Sequence, residues 1–269
     1  MERLLVGYLS YVTENNAYRR FENFSNSLYS LENLKDEPCD LLSIDNNSSC
    51  SVKDALKESK LFSNLVHLDK NFSDISVLFI TAYYAKKQGY DYCMYTYDDF
   101  IVTRKNVLNS CIEFLDNHSS VHCVRVPVYS YDDKNAFDPD HTPKTINPDS
   151  VRHFNTVTRE KLRWEGPYFY DKNKFFINNW HYTSRPTLWR TDVLYSLFED
   201  LDEIPVMQTF EKYSCEKLNE LPLSVGVLDG GMMHTVKQSE RNAQGGTSAD
   251  KKIRIKKSEI LECLNKLGF

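Results

Sequence analysis

A chain of 269 residues with 41% hydrophobic and 13% aromatic content is long enough to bury a substantial core, which argues against disorder over most of its length. The formal net charge of -5 gives no global attraction to nucleic acid, so we expect no nucleic-acid binding. No segment approaches the roughly 18 apolar residues of a membrane span, and the short, acid-containing start is unlike a signal peptide. Seven cysteines without a Cys-x-x-Cys pair are typical of reduced intracellular thiols rather than of a zinc site. We therefore expect a soluble, cytoplasmic protein.

The first half of the chain alternates β-rich runs with helical patterns, as a mostly parallel β-α-β sheet requires. Strands are predicted at Leu4–Leu9, Leu41–Asp45, Leu65–Leu68, Tyr92–Tyr97 and Val121–Tyr129. Helices are predicted at Tyr18–Leu34, Asp74–Gln88 and Arg104–Leu115. In the second of these helices apolar residues recur at spacings of three and four, which places one face on the sheet, and Gly89 ends the helix.

The second half begins with a long irregular segment, Ser130–Asn179, which is rich in Asp, Asn, Pro and aromatic residues. Such an insert in a compact domain is usually a functional loop or lid. Two strands and two helices follow, predicted at Pro186–Arg190, Leu223–Leu228, Asp192–Phe198 and Thr209–Leu218. Since no repeat or low-complexity linker interrupts the chain, we predict one α/β domain with a mixed, mostly parallel central sheet flanked by helices.

The only local basic cluster lies near the C-terminus, in a segment 251–269 that we predict to be a helix or tail. Its charges are Lys251, Lys252, Arg254, Lys256 and Lys257. The favoured interpretation is a solvated helix face or tail, and the alternative is contact with phosphate or with an anionic membrane surface.

The buried run Tyr92–Tyr97 ends on two adjacent acids, Asp98 and Asp99. In open α/β sheets ligands bind at the carboxyl ends of strands, so this run points two carboxylates into the ligand crevice. Adjacent acids repel unless a positive charge lies beside them. A divalent cation that carries a nucleotide diphosphate supplies that charge, and hard oxygen ligands suit Mg²⁺ or Mn²⁺. The alternative is a strand end with two solvated acids, or a turn or helix-cap role for one of them.

Three features together resemble the family 2-like glycosyltransferases of the GT-A fold, in the nucleotide-diphospho-sugar transferase superfamily. They are the run Ile44-Asp45-Asn46-Asn47-Ser48-Ser49 at the second strand end, the glycine-ended helix, and Tyr97-Asp98-Asp99. The resemblance is clearest over residues 1–130, which it identifies as the nucleotide-sugar-binding half, with residues 131–250 as the acceptor and catalytic half. It implies a Rossmann-like GT-A domain over residues 1–269 that moves a hexosyl or pentosyl group from a UDP- or GDP-type sugar donor, with Mn²⁺ or Mg²⁺ as cofactor.

The same resemblance assigns roles to three acids. It implies that Asp45 contacts the nucleoside, that Asp98 contacts the ribose or sugar, and that Asp99 binds the cation. Tyr97 is a departure, because it occupies a position where the family usually has an acid, and the acidic motif is therefore reduced.

The segment Asn178–Arg190 resembles the part of these enzymes that closes over the donor sugar and begins the acceptor site. Trp180 and Tyr182 are expected to stack on sugar faces, and Arg185 to bind a phosphate or hydroxyl group. A core position is the alternative for Trp180 and the favoured interpretation for Trp189, which lies in an apolar strand.

Thr209–Tyr213 opens a helix where inverting family members carry their catalytic acid. An inverting transfer needs a carboxylate to remove the acceptor hydroxyl proton, and Glu211 is the candidate base. The alternative is a surface glutamate favoured by the helix dipole. The reserve candidates are Glu165, Asp192 and Glu203.

His234 follows two glycines and resembles a late histidine that many GT-A enzymes supply as a metal or pyrophosphate ligand. A lone histidine is more often packed or exposed, which remains the alternative. The polar segment after it suits a loop over the diphosphate, where Arg241 is expected to contact phosphate oxygens.

Two rival functions remain open. A sugar-nucleotide pyrophosphorylase has a similar sheet, but it opens with a glycine-rich basic loop that Gly7-Tyr-Leu-Ser-Tyr-Val-Thr-Glu14 lacks. A degenerate GT-A domain that binds carbohydrate or a partner without turnover is the other. The acceptor stays open between a glycan, a lipid carrier and a protein, because the irregular segment carries its contacts.

Overall fold

The computed structural model describes residues 3–13, 17–126, 128–130, 163–179, 186–221, 224–229, 233–235 and 255–269. The strands are β1 Leu4–Ser10, β2 Cys39–Asp45, β3 Asn64–His67, β4 Tyr92–Tyr97, β5 Phe100–Val102, β6 Val121–Arg125, β7 Val128–Ser130, β8 Trp164–Tyr170, β9 Asn173–Asn178, β10 Thr187–Arg190, β11 Glu203–Ile204, β12 Ser224–Leu228, β13 Met233–Thr235 and β14 Ile255–Lys256. The helices are α1 Ala17–Ser30, followed by a short 3₁₀ turn at Leu31–Leu34, then α2 Cys50–Ser59, α3 Ile75–Gln88, α4 Leu108–Asn117, α5 Thr191–Glu199, α6 Met207–Asn219 and α7 Lys257–Lys266. In these ranges no helix combines the length and apolarity needed to cross a bilayer.

A nine-stranded sheet forms the centre of the fold, in the order β3-β2-β1-β4-β10-β6-β12-β9-β8. Strands β3, β2, β1 and β4 are parallel to one another, and β6 and β12 form a second parallel pair. Strand β10 runs antiparallel between β4 and β6, and β9 runs antiparallel between β12 and β8. The predicted mixed, mostly parallel sheet is confirmed.

Helices cover both faces of this sheet, as predicted. One face packs against α3, α5, α6 and α7 through side chains that include Phe79, Phe198, Phe210 and Ile260. The other packs against α1, α2 and α4 through side chains that include Phe24, Val52 and Phe114. Every residue of β1 is buried, because that strand lies near the middle of the sheet with helices on both sides. None of the seven cysteines, all of which lie in the described ranges, forms a disulfide bond.

Helix α3 crosses β1 at a distance that only glycine allows. A Cβ atom at Gly7 would lie 2.0 Å from the Thr81 hydroxyl oxygen. The helix ends where predicted, because Gly89 takes a left-handed conformation with φ of 80° and donates its N–H to the Ala85 carbonyl.

The structure departs from the sequence prediction at three places. Part of the segment predicted to be irregular forms the hairpin β8–β9, which lacks an alternating pattern because most of β8 is exposed. The strand predicted at Val121–Tyr129 is two strands, because β6 ends at Arg125 and β7 pairs with β13 in a separate small sheet. Helix α2 was not predicted, since only Val52 and Leu56 of its residues are buried.

The described part of the C-terminal basic segment is the short strand β14, which contains Lys256, followed by helix α7. Helix α7 packs on the core through Ile260, Cys263 and Leu264, and Lys257 Nζ donates to the Phe198 and Glu199 carbonyls at 3.0 and 2.9 Å. Lys251, Lys252 and Arg254 lie outside the described residues.

Candidate active site

The carboxyl ends of β3, β2, β1 and β4 lie side by side at one edge of the sheet, the carboxyl edge. Ser10 pairs in register with Asp45, and Asp45 pairs with His67. The loops beyond these strands are joined by backbone hydrogen bonds, from Asn46 N to Ser10 O (2.9 Å) and from Ser49 N to Val12 O (2.9 Å). The sequence-predicted acids of this half therefore stand on one connected set of loops.

Asp98 lies in the turn after β4 and is buried, with 7% of its surface exposed. Its Oδ2 accepts a hydrogen bond from the Tyr11 backbone N–H at 2.8 Å. Its Oδ1 lies 3.6 Å from the Arg20 guanidinium. Burial raises the pKa of Asp98 to about 6, with Arg20 opposing that shift and Asp99 adding to it.

Asp99 occupies the same turn but is less buried than Asp98. The turn is fixed from behind by the Ser27 hydroxyl, which donates to the Phe100 carbonyl at 2.6 Å and lies 3.3 Å from the Tyr97 carbonyl. The Tyr97 ring packs between Tyr95 and Phe100, with centroids 6.0 and 5.7 Å away. Tyr97, the residue that departs from the family pattern, is thus a packing residue of the turn.

A small sheet brings the His234 backbone to this turn. Strand β13 pairs with β5 so that His234 stands opposite Ile101 and Thr235 opposite Phe100, the residue that follows Asp99. Of the sequence-predicted metal pair, Asp99 lies in the turn just before β5 and His234 lies on β13, which pairs with β5, although the His234 side chain lies outside the described residues. Within the ranges that the structure describes, no three His, Cys, Asp or Glu side chains group together as a metal site.

Asp45 is fully buried at the end of β2. Its Oδ1 accepts the Ser48 backbone N–H at 2.9 Å, and its Oδ2 lies 3.4 Å from His67 Nδ1 and 3.9 Å from Lys53 Nζ. The side chains of His67 and Lys53 are 26% and 29% exposed, so they form the solvent-facing side of this cluster. Contact between Asp45 and a nucleoside stays a prediction.

Asn46 is a site residue that sequence reasoning did not single out. The side chain is 2% exposed. Its Oδ1 accepts the Phe72 N–H at 2.7 Å, and its Nδ2 donates to Asn71 Oδ1 at 2.7 Å and to the Ser73 carbonyl at 3.2 Å. The amide therefore ties the loop after β2 to the loop after β3. The only signal in the sequence is the run of polar residues that follows Asp45.

Glu211 lies in the first half of α6 and is partly exposed. Its neighbour Phe210 fixes the helix by stacking on Phe198, with ring centroids 4.5 Å apart. Among the reserve acids, Asp192 forms an ion pair with Lys86 at 2.7 Å that links α5 to α3. Glu165 and Glu203 are exposed on β8 and β11.

Of the remaining predictions, one concerns a residue that the structure describes and four concern residues that it does not describe. Trp189 is fully buried, which confirms its predicted core position. Trp180, Tyr182, Arg185 and Arg241 lie outside the described residues, so the predicted acceptor and phosphate contacts stay predictions.

No family model matches the sequence, and no curated protein matches it. Solved structures do resemble the fold. Residues 1–349 of S. aureus TarS align with a TM-score of 0.52 at 12% identity, over 90% of this chain and 63% of that one.

The same TarS segment in complex with UDP-GlcNAc gives 0.51 at 14% identity, over 88% of this chain and 59% of that one. GalNAc-T7 with UDP, GalNAc and Mn²⁺ gives 0.56 at 11% identity, over 87% of this chain and 43% of that one. The chain thus spans less than two thirds of the length of these proteins, which are GT-A-type glycosyltransferases. With identities this low the likeness concerns the fold, and the fold of this chain is the GT-A fold.

Proposed function

We propose that the chain is a glycosyltransferase that moves a hexosyl or pentosyl group from a UDP- or GDP-type sugar donor to a glycan, lipid or protein acceptor, with inversion. One observation carries the proposal. The turn that contains Asp98 and Asp99 lies at the carboxyl end of the central strand β4 and is joined through β5 to the strand that contains His234. Ligands of open α/β sheets bind at such strand ends. Two of the similar solved structures carry UDP-GlcNAc or UDP, which supports a nucleotide-sugar donor.

Mn²⁺ or Mg²⁺ is the proposed cofactor. A carboxylate from Asp99 and an imidazole from His234 are a donor set that Mn²⁺ accepts, and a carboxylate with diphosphate oxygens suits Mg²⁺. Asp99 fits a cation ligand, because it is the more exposed of the two acids in the turn, whereas Asp98 already has the Arg20 guanidinium beside it. A bound divalent cation would neutralise the charge of the diphosphate leaving group.

The donor's nucleoside is proposed to lie over the ends of β1, β2 and β3, beside Asp45 and next to Asp98. The side chains of His67 and Lys53, which contact Asp45, are 26% and 29% exposed in this region. Arg185 and Arg241 are proposed to bind the diphosphate, since guanidinium groups pair with phosphate oxygens in a bidentate way.

On the acceptor side, Trp180 and Tyr182 are proposed to stack on the sugar faces of the substrate. Glu211 is proposed to remove the proton from the acceptor hydroxyl as its oxygen attacks the anomeric carbon. The partial exposure of Glu211, on a helix anchored by buried neighbours, is compatible with a base that meets a substrate from solvent.

The first test is nucleotide binding. Titration calorimetry with UDP, GDP and TDP, each with and without Mn²⁺, is expected to show binding of one diphosphate that strengthens with the metal. Absence of binding to all three would contradict the proposed function.

The second test is Asp99→Asn, with Asp54→Asn as the control, because Asp54 is an exposed acid on α2 away from the turn. Loss of a metal ligand is expected to lower turnover by about 100-fold or more and to raise the Mn²⁺ concentration for half-maximal activity. Asp54→Asn is expected to change neither quantity. Wild-type metal dependence in Asp99→Asn would remove Asp99 as a ligand.

The third test separates a transferase from a domain that binds without turnover. Glu211→Gln is expected to lower kcat by about 100-fold or more while the nucleotide Kd stays unchanged, since a general base typically contributes a factor of this size. Glu220→Gln, the same change at an exposed position at the end of α6, is the control. A product that retains the donor's anomeric configuration, measured by NMR, would remove Glu211 as an inverting base.

A further inference from the structure

The loop between β1 and α1 is held on the carboxyl edge by side chains from two other strands' loops. The Tyr11 N–H donates to Asp98 at 2.8 Å, and the Val12 N–H donates to the Ser48 hydroxyl at 3.1 Å. The Val12 carbonyl accepts the Ser49 N–H at 2.9 Å. Both N–H groups of this loop segment are thus satisfied by side chains that arrive from the ends of β4 and β2.

Arg20 holds the other side of Asp98. Its guanidinium lies 3.6 Å from Asp98 Oδ1 and 5.8 Å from the centre of the Tyr11 ring. The Arg20 side chain is 22% exposed, so the ion pair is shielded from much of the solvent. Arg20 therefore contacts both the acid and the loop residue that the acid binds.

These contacts leave Asp98 poorly placed as a direct ligand. The carboxylate is 7% exposed and both of its oxygens face protein groups. A ligand that took Oδ2 would compete with the Tyr11 N–H, and one that took Oδ1 would compete with the Arg20 guanidinium, so either contact would weaken an interaction of a buried group. Asp99, the next residue, is more exposed than Asp98.

We propose that Asp98 is a positioning residue, which together with Arg20 locks the loop after β1 in the shape that receives the nucleoside diphosphate. This inference rests on the proposed function, and it specifies how Asp98 serves nucleotide binding. The acid acts through Tyr11 and Val12, and Asp99 alone of the two acids binds the cation.

The test compares Asp98→Ala, Asp98→Asn and Arg20→Ala with the wild type. The alanine variant removes the acceptor of the Tyr11 N–H, whereas the asparagine side-chain oxygen retains it. With UDP as the probe, or GDP if the wild type prefers it, Asp98→Ala is expected to raise Kd about tenfold, which corresponds to about 1.4 kcal/mol. Asp98→Asn and Arg20→Ala are expected to raise Kd less.

Two readouts separate positioning from ligation. The Mn²⁺ concentration for half-maximal activity is expected to be unchanged in Asp98→Asn, whereas a metal ligand would lose affinity. In the protein without nucleotide, the Tyr11 amide is expected to exchange with solvent faster in Asp98→Ala than in Asp98→Asn, because only alanine leaves it without its partner.

A shifted Mn²⁺ requirement in Asp98→Asn, or unchanged Tyr11 exchange in Asp98→Ala, would overturn the inference. If the wild type bound neither UDP nor GDP, the proposed function would fail, while the exchange measurement would still decide whether Asp98 holds the loop. If the alanine variant fails to fold, the Mn²⁺ requirement and the nucleotide Kd can still be measured in Asp98→Asn, which keeps the hydrogen bond.

Discussion

The amino and carboxyl edges of the central sheet both carry charged side chains, but these contact different kinds of partner. At the amino edge Arg3, just before β1, forms ion pairs with Asp91 and Asp116 at 2.8 Å. Tyr92, the first residue of β4, donates its hydroxyl to Asp116 at 2.5 Å. At the carboxyl edge Asp98 and Asp45 instead accept backbone N–H groups of loops.

The contacts at the amino edge bear on stability, whereas those at the carboxyl edge hold the loops of the candidate site. The Arg3 pairs join side chains that are about half exposed and tie together the ends of elements that are already fixed by the sheet. Such pairs contribute little. The buried acids of the carboxyl edge accept N–H groups of loops outside the strands, so their hydrogen bonds help to hold these loops in position.

Glu37 extends the comparison, since it lies just before β2 on the amino side yet is also buried. Its two oxygens accept the N–H groups of Val107, Leu108 and Asn109 at 2.6, 3.1 and 3.3 Å. These are donors at the start of α4, so Glu37 caps a helix and does not hold the loops of the carboxyl edge.

The largest expected effect is therefore on stability alone. Glu37→Ala is expected to lower the free energy of unfolding by about 3 kcal/mol, because three donors at the start of α4 lose a charged acceptor. Urea denaturation measures this loss, and calorimetry is expected to give an unchanged UDP Kd in the folded variant. Glu37→Gln, whose side-chain oxygen still accepts a hydrogen bond, is expected to lose less stability than Glu37→Ala. A weakened UDP affinity in either variant would contradict the view that contacts on the amino side affect stability but not nucleotide binding.

Asn46→Ala is expected to lower both the stability of the fold and its affinity for UDP. Removal of the amide leaves the buried Phe72 N–H without its acceptor and is expected to lower the free energy of unfolding by about 2 kcal/mol. Because the loops after β2 and β3 lose their tie, the UDP Kd is expected to rise about tenfold as well. Asn109→Ala, which removes an exposed amide bonded to Glu113, is the control. An Asn46→Ala protein with wild-type affinity would show that these loops need no tie.

Arg3→Ala is expected to have the smallest effect, below about 1 kcal/mol, because both partners are substantially exposed. Hydrogen bonds from Arg3 and Tyr92 lower the pKa of Asp116 below its ordinary value of 3.8. A lowered folded-state pKa stabilises the protein above the unfolded value, and this contribution is lost as the pH falls through the folded value. The stability gap between wild type and Arg3→Ala is therefore expected to shrink below pH 3.8. A gap that widens in acid would contradict this account.

The parts of the fold that the sequence predicts well are those whose signal is local. Strands β1 and β4 are largely apolar runs, and α3 combines a helical period with a terminal glycine, so each is recognisable without its neighbours. The three-residue strands β5, β7 and β13 carry no such signal, because their pairing is decided by the tertiary structure.

The same division applies to the site. The acids at the end of β4 follow from the strand pattern and from the general position of ligands in α/β sheets. The direction in which the Asp98 carboxylate points does not, because its partner Tyr11 lies 87 positions away in the chain. The contribution of Arg20 is likewise invisible until α1 is placed beside that turn.

The antiparallel strand β10 has a consequence for how the protein is made and divided. It comes from the second half of the chain but fills the gap between β4 and β6, with Leu188 and Trp189 fully buried there. A fragment that ended at residue 130 would leave both of those strands with an open, hydrogen-bonding edge, which favours aggregation. During synthesis β4 and β6 stay unjoined until residue 190 has left the ribosome. Residues 1–130 are therefore not a separable module, and an activity carried by them alone is not expected.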